Sequence, residues 1–188
     1  MGVSYTVSNA RALRSEYMKK ITKLLLTLAI VLMTCSFVAA EQYVSANDME
    51  PASITRAKVI DGFTFNASSD KAITVENIDI PRISEDGEVF TVRIKLNGSG
   101  TTSFRSVSFN AKAGQKLTVY LTSSSGSEDR ILVIANGAGE SVAKLVAPAD
   151  VVTSEGKAGI QTFKIPADGT YYLYSAKSGV NLYQIIIE

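Results

Sequence analysis

Tyrosines repeated at strand spacing and basic residues on the predicted strands are the features of this chain that could do chemistry. Within the stretch GTYYLYSAKSGVNLYQI, Tyr171, Tyr172, Tyr174 and Tyr183 surround Lys177. Successive side chains of a strand point to opposite faces, so Tyr172 and Tyr174 share one face and Tyr171 lies on the other. We predict that Tyr171 and Tyr183 are core residues, with Tyr183 on the same face as Ile185 and Ile187. Whether Tyr172 and Tyr174 face solvent or pack against a second layer stays open.

The basic residues of the predicted strands are candidates for holding an anionic ligand, because a sheet keeps side chains at constant separations. Solvated surface lysines are the ordinary alternative for each of them. Arg130 opens an apolar strand after a Ser/Gly/acid loop, so its guanidinium is either a ligand-binding group or a structural partner for Glu128 or Asp129. The candidate ligand-binding residues are Lys177, Lys116, Lys112, Lys95, Arg130, Arg105 and Tyr174.

Catalytic and metal-binding residue types are scarce. Histidine is absent and Cys35 is the only cysteine, so the usual general base, thiolate and commonest metal ligand are missing. The acidic residues are scattered through predicted turns, as on a solvated surface, although a close carboxylate pair stays open. We predict a protein that is not an enzyme and needs no cofactor. Oxygen ligands for a structural calcium ion are abundant, but no spacing matches a dedicated calcium loop.

Residues 18–40 have the layout of a secretory signal peptide: a basic head, an apolar run and small residues before the cleavage point. The apolar run is shorter than the roughly 20 residues that cross a bilayer easily. We predict cleavage before Glu41, a secreted or cell-surface protein and no membrane span in the mature form. Residues 1–17 are predicted to be an extension upstream of the true start, Met18.

The mature part, residues 41–188, has 14 basic and 17 acidic residues, which gives a net charge of −3. There is no global basic field, so nucleic acid is not an expected partner. Cys35 lies inside the signal, in a context that does not favour lipid attachment. Because the mature part has no cysteine, its hydrophobic core alone must hold it together. We expect one monomeric domain.

Short alternating segments separated by Gly, Ser, Asn and Asp predict β-strands from residue 58 onward. Residues 41–57 are polar and have no period, which predicts a flexible leader. The clearest strands are predicted at 89–96, 104–111, 116–121, 130–135, 142–147, 160–165, 170–175 and 180–187. We predict an all-β fold, a two-sheet β-sandwich that is jelly-roll-like, over residues 58–188. The segments near 78–87 and 148–158 are predicted to be loops at its rim.

Three segments in order carry a family resemblance. They are a G-x-G…R motif at Gly98, Gly100 and Arg105, a serine-rich loop that ends in Asp129-Arg130, and the terminal G-T-Y-Y-L-Y-S…G-V-N-L-Y. Over residues 59–188 the chain resembles carbohydrate-binding module family 77, the β-sandwich modules that accompany bacterial pectate lyases.

This resemblance implies a non-catalytic module that binds homogalacturonan, the acidic backbone of pectin, through lysines more than through aromatic stacking. Lys177 is then the best single candidate, followed by Lys95, Lys112 and Lys116, whereas Arg105 and Arg130 match motifs with a structural alternative. Unlike most members, this module is expected to have no lyase domain after it. The alternative function is a secreted structural or adhesive domain that binds another surface protein and no glycan; it predicts an exposed apolar patch in place of a basic groove.

Overall fold

A computed structural model describes residue 14 and residues 16–23, 41–152 and 156–188. The chain divides into two compact units, residues 1–39 and residues 40–188. In the first unit the described residues are helical. The apolar run and the cleavage point of the predicted signal peptide lie outside the described residues. Among the residues that are described, no helix combines the length and the apolar character needed to cross a membrane.

The second unit is built almost entirely of strands. Its described part contains a short 3-10 helix over Ala46–Asp48 and fourteen strands: β1 Gln42–Ser45, β2 Ala52–Ile54, β3 Lys58–Ile60, β4 Phe63–Asn66, β5 Ile73–Ile83, β6 Val89–Leu96, β7 Ser106–Ala111, β8 Lys116–Ser123, β9 Arg130–Asn136, β10 Ser141–Ala147, β11 Gly156–Lys157, β12 Gly159–Lys164, β13 Gly169–Ser175 and β14 Val180–Ile187.

The strands form two sheets that face each other. An eight-stranded sheet has the order β11-β5-β6-β14-β8-β12, with β1 also paired to β14 and β2 to β5. A six-stranded sheet has the order β10-β9-β13-β7-β4-β3. All of the pairs are antiparallel except β11 with β5. The all-β, two-sheet sandwich predicted from the sequence is confirmed.

The main core lies between the sheets and follows the period of two in the sequence. In β8, for example, Leu117, Val119 and Leu121 are fully buried. Residues of both sheets contribute to one cluster, which includes Phe63, Phe65, Ile73, Ile94, Leu96, Val107, Phe109, Leu132, Ile134, Tyr171, Leu173 and Ile185. Burial of this apolar area, at about 25 cal/mol per Å², is the main force that holds the sheets together.

The prediction of a flexible leader over residues 41–57 is wrong. β1 pairs with the second half of β14, and β2 pairs with β5. Val44, Ala46 and Ile54 are buried in the main core. The polar residues between them masked this pattern, because Val44, Ala46 and Ile54 are the buried apolar residues of the segment and Met49 is only partly buried against the core.

The predicted rim loops also differ from the structure. Residues 78–83 continue β5, which has an irregularity in its pairing between Asn77 and Arg82. Pro148 and Asp150 run alongside the end of β8 through backbone bonds to Ser123 and Ser125, each 2.7 Å long. Because Asp150 also reaches Arg82 of β5, this segment crosses the outer face of the eight-stranded sheet.

A second, smaller hydrophobic cluster lies on that outer face. It consists of Phe90, Tyr120, Ala158 and Tyr183. Tyr120 donates a hydrogen bond of 2.5 Å to Asp86, and burial, followed by that bond, raises the pKa of Tyr120 to about 12. Ala158 ends the predicted loop 148–158, and Phe90 lies shortly after the predicted loop 78–87, so the cluster joins both regions to the sheet.

Tyr183 is a core residue, but not on the predicted face. The pairing of β14 with β8 shifts between Leu182 and Gln184, which turns Tyr183 away from Ile185 and towards Phe90. Its ring stacks on that of Phe90 with 5.2 Å between centroids. One extra residue in a strand reverses the alternation from that point on, and no turn residue in the sequence announces it.

Candidate binding surface

The outer face of the six-stranded sheet carries the two tyrosines whose exposure the sequence left open. In β13, Tyr171 and Leu173 are buried in the core, whereas Tyr172 and Tyr174 point to the opposite face and are partly exposed. Within the described residues, no further strand or helix packs on this face. The predicted alternation of Tyr171 and Leu173 with Tyr172 and Tyr174 is confirmed. The rings of Tyr172 and Tyr174 lie on a surface that a ligand could reach.

A row of side chains crosses this face through Tyr174. Cross-strand pairing places Tyr174 beside Val133 of β9 and Ser106 of β7, and continues to Lys144 of β10 and Asn66 of β4. Neighbouring strands lie about 4.8 Å apart, so Lys144 and Asn66 emerge about 10 Å from Tyr174 on either side. A ligand of that width would meet an aromatic ring between an amine and an amide.

A second row runs beside the first through Tyr172. Its neighbours are Ala135 of β9 and Ser108 of β7, and Thr64 of β4 follows. Tyr172 and Tyr174 are two residues apart in one strand, so their side chains emerge about 7 Å from each other. We call the two rows together the tyrosine face.

The polar half of the tyrosine face is held in place by internal hydrogen bonds. Asn66 Nδ2 donates to Ser106 Oγ and Ser108 Oγ, each at 3.2 Å. Both serines are buried, as expected of polar groups that have found partners. Asn66 and Thr64 are partly exposed, so their amide and hydroxyl groups offer both donors and acceptors to a polar ligand.

The charge of the tyrosine face is positive. Lys144 is the one charged residue of the two rows; it is exposed and has no ion-pair partner among the described residues. No carboxylate belongs to either row. A face of this kind favours a neutral or an anionic ligand over a cationic one.

Arg105 lies beside the end of this face that is nearest Tyr174. The strand predicted over 104–111 includes Arg105, and this part of the prediction is wrong: β7 begins at Ser106. Arg105 has a backbone φ of 48°, in the left-handed region. The alternation therefore starts one residue later, and Arg105 belongs to the loop between β6 and β7.

Arg130 is a structural anchor at the same end of the molecule. Its Nη1 donates to the carbonyl oxygen of Gly179 at 2.6 Å and to Ser124 Oγ at 2.5 Å. These bonds join the serine-rich loop to the turn that carries Lys177, which is exposed. Arg130 therefore has a structural role, but its partners are not the predicted Glu128 or Asp129. Asp129 instead accepts a hydrogen bond from the backbone N–H of Ala149.

Lys112 and Lys116 lie at the opposite end of the strands. Lys112 Nζ forms an ion pair of 3.0 Å with Asp168, and Lys116 pairs with Glu188. The backbone N–H of Ala113, and then the Lys112 ammonium, lower the pKa of Asp168. Both lysines therefore already have carboxylate partners.

Lys95 lies on the outer face of the other sheet. Its Nζ is 3.4 Å from Glu76, which also receives Arg93 at 2.6 Å. Partial burial alone would raise the pKa of Glu76, but the hydrogen bond and charge of Arg93, and then the charge of Lys95, outweigh it and leave this pKa below its ordinary value.

The structure thus divides the predicted ligand-binding residues among three places. Arg105, Arg130, Lys177 and Tyr174 lie at one end of the sandwich; the other three lysines lie at the opposite end or on the opposite sheet. The sequence did not single out Lys144 at all. The sequence predicts a strand over its segment, VAKLVA, but only the pairing of β10 with β9 places Lys144 in line with Tyr174.

Residues 103–174 match the family model described as the bacterial pre-peptidase C-terminal domain. The match covers less than half of the chain and includes β7 to most of β13. It is a different family from the pectin-binding one that the sequence resembles. No curated protein matches the chain.

Solved structures with a similar arrangement of strands include three carbohydrate-binding modules. The C-terminal CBM6 of LamC, a marine laminarinase from Zobellia galactanivorans, is 18% identical, with 79% of this chain and 98% of that chain covered at a TM-score of 0.40. A family 35 module from Clostridium thermocellum is 12% identical, with 79% and 98% covered at 0.40. The CBM36-1 domain of a multidomain xylanase from the hindgut metagenome of Trinervitermes trinervoides is 14% identical, with 79% and 97% covered at 0.42.

Proposed function

We propose that this protein is a secreted, non-catalytic carbohydrate-binding module whose ligand is an acidic plant polysaccharide of the homogalacturonan type. The observation that carries the proposal is the tyrosine face, an uncovered sheet surface with two partly exposed rings beside fixed hydroxyl and amide groups. The polysaccharide lies across Tyr172 and Tyr174, and Lys144 and Lys177 attract its carboxylates.

Tyrosine suits this role because its ring is apolar and its hydroxyl is a hydrogen-bonding group. A sugar ring has the same division, with C–H bonds on its faces and hydroxyls around its edge. The rings of Tyr172 and Tyr174 contact the C–H face of the ligand, while the partly exposed side chains of Asn66 and Thr64 receive the hydroxyls.

The charge contribution is modest, so binding is weak. An exposed lysine–carboxylate pair contributes about 0.2–1 kcal/mol. A few such pairs, with stacking and hydrogen bonds, give a dissociation constant in the micromolar-to-millimolar range, or roughly −4 to −8 kcal/mol. Many weak contacts along a polymer are sufficient for a module that keeps a protein near its substrate.

Two observations favour binding over catalysis. Glycoside hydrolysis typically uses a pair of carboxylates on either side of the bond, and neither row of the tyrosine face contains a carboxylate. Elsewhere in the described chain, Asp150 and Glu76 are engaged by arginines. Within the described residues, no three His, Cys, Asp or Glu residues are grouped so that they could hold a metal ion.

Secretion is part of the proposal. β1 begins at Gln42, one residue after the proposed first residue of the mature protein, Glu41. Cleavage there would leave every strand of the sandwich intact. Determination of the N-terminal residue of the exported protein tests this: it should be Glu41.

Titration of polygalacturonate against the full-length protein, at about 20 mM and about 500 mM salt, tests the proposed ligand. Binding should be at least several-fold weaker at high salt, because exposed charges are screened over about 10 Å at 0.1 M salt. Equal affinity at the two salt concentrations would contradict a charge contribution, and no binding at either would contradict the function.

A second candidate function, docking to another surface protein, is favoured by one observation. Val142 and Val146 of the edge strand β10 are 37% and 43% exposed, and Lys144 lies between them. Serine at both valine positions should leave polysaccharide binding unchanged if the glycan proposal is right. The docking function would be favoured instead if neither the wild-type protein nor this variant bound the glycan, and if the variant lost binding to a cell-surface protein that the wild-type protein binds.

A further inference from the structure

The Arg105 guanidinium has no partner within the described part of the chain. The residue is partly buried, its Nε is buried, and it makes neither a hydrogen bond nor an ion pair with a described residue. Arg82, Arg93 and Arg130, by contrast, each donate to a carboxylate or a carbonyl oxygen. A buried N–H that has lost water and gained nothing destabilises the protein, so this group calls for an explanation.

The backbone around Arg105 keeps the guanidinium in that position. Its φ of 48° lies in a region that non-glycine residues seldom adopt. Two glycines of the same loop pack directly against it. A Cβ added at Gly98 would come within 2.9 Å of Arg105 Nη1, and one at Gly100 would collide with the Arg105 carbonyl oxygen. Local strain that surrounding structure maintains is typical of functional positions.

The same loop connects Arg105 to the tyrosine face. A Cβ at Gly100 would lie 2.9 Å from the Cβ of Tyr174. Gly98 and Gly100 are two residues apart, so their Cα atoms are at most about 7 Å from each other. The guanidinium therefore lies within about 16 Å of Tyr174 Cβ, close enough for one extended ligand to contact both.

The charges around Arg105 leave room for an anion. Lys71 is also near, with its Nζ 5.9 Å from the centroid of the Phe104 ring. Asp70 is exposed, and its pKa is lowered first by a hydrogen bond from Ser68 and its own backbone N–H, with Arg105 as the smallest contribution. The charge of Arg105 therefore contributes to the lowered pKa of Asp70, although the two side chains do not form an ion pair.

We propose that Arg105 is the residue that selects acidic over neutral sugars, by binding the carboxylate of a uronic acid residue while the ligand lies on Tyr174. The planar guanidinium donates two parallel hydrogen bonds to a carboxylate, a geometry that a lysine ammonium cannot reproduce. This inference rests on the proposed function, because it names the specificity-determining group of the same surface.

The test compares two polymers that differ only in charge: polygalacturonate and its fully methyl-esterified, neutral form. Each is titrated against the full-length protein and its Arg105→Gln and Arg105→Lys variants. The wild-type protein should prefer the acidic polymer. Arg105→Gln should weaken binding of the acidic polymer by about 10- to 100-fold and leave binding of the esterified polymer unchanged. Arg105→Lys should recover only part of the preference.

Lys164→Gln is the matched control, because Lys164 is an exposed cation in β12, opposite Lys116 and far from the loop. It removes one positive charge and should keep the preference. If Arg105→Gln keeps the preference too, the role of Arg105 is overturned while the glycan function stands. If the wild-type protein binds neither polymer, both proposals fail.

A readout on the wild-type protein covers the case in which the Arg105 variants do not fold. The nuclear magnetic resonance signal of the Arg105 Nε–H should shift on addition of galacturonate and stay unchanged on addition of its methyl ester. Equal shifts with both, or none with either, would overturn the inference.

Discussion

Arg82 and Asp150 form the most deeply buried ion pair of the described residues, and they fix the segment that crosses the eight-stranded sheet. Their side chains are only 6% and 8% exposed. Arg82 donates from Nε and Nη2 to the two carboxylate oxygens at 2.6 and 2.8 Å. The hydrogen bonds to Asp150 raise the pKa of Arg82 even though burial opposes it. Loss of one member of such a buried pair lowers the stability of the protein more than replacement of both.

Replacement of Asp150 by Asn should therefore destabilise the protein strongly. Removal of one member of a buried pair typically costs about 3–5 kcal/mol, because the other charge stays buried without compensation. Chemical denaturation measures this as a fall in the free energy of unfolding. The double variant Arg82→Met, Asp150→Leu is the control: it should be clearly more stable than the single variant, and equal instability would contradict the reasoning.

Glu76 should make stability depend on pH. Its folded-state pKa lies below its ordinary value of 4.5, so its contribution is present above about pH 4.5 and is lost as the pH falls through the folded-state value. The melting temperature of the wild-type protein should fall in that window. In Glu76→Gln the melting temperature at pH 7 should be lower, and part of the acid-induced fall should disappear. The same fall in both proteins would contradict a role for Glu76.

At the scale of single elements, the sequence predicts strands well and their partners poorly. β6 occupies the predicted residues 89–96, because alternation of apolar and polar residues is a local property. The leader became β1 and β2, and Tyr183 changed face at a shift in strand pairing, because both depend on strands far away in the chain. The sequence predicts that Tyr172 and Tyr174 share a face. Their neighbours in the two rows depend on long-range strand pairing and could not be derived from the sequence.

Substitutions in β1 test directly whether this segment is an integral strand of the sandwich. Val44 is 1% exposed and its neighbour Tyr43 is 49% exposed. Val44→Asp places a carboxylate in the core, which costs several kcal/mol (roughly 2–7 kcal/mol for an uncompensated polar group). Tyr43→Asp, in the same strand, should change stability little. If the two variants unfold at the same denaturant concentration, β1 is not an integral part of the sandwich.

At the scale of the whole molecule, the placement of the cations determines which surface the ligand can use. Lys112 and Lys116 have carboxylate partners at one end, and Lys95 shares Glu76 with Arg93 on the eight-stranded sheet. Lys144 and Lys177 have no such partner among the described residues; Lys144 belongs to the tyrosine face, and Lys177 lies in the turn after β13 at the Tyr174 end of that face. The sequence supplied a set of basic residues, but only the three-dimensional arrangement separates those that are already engaged from those available to a ligand.

The most direct test of the account is polygalacturonate binding by the double variant Tyr172→Ala, Tyr174→Ala, with Tyr43→Ala as a control that removes an exposed ring from the other sheet. Aromatic contacts contribute about 0.5–1.5 kcal/mol each, so the double variant should bind roughly 5- to 100-fold more weakly. Tyr43→Ala should bind as the wild-type protein does. Undiminished binding by a folded double variant would contradict the claim that the ligand lies on the tyrosine face.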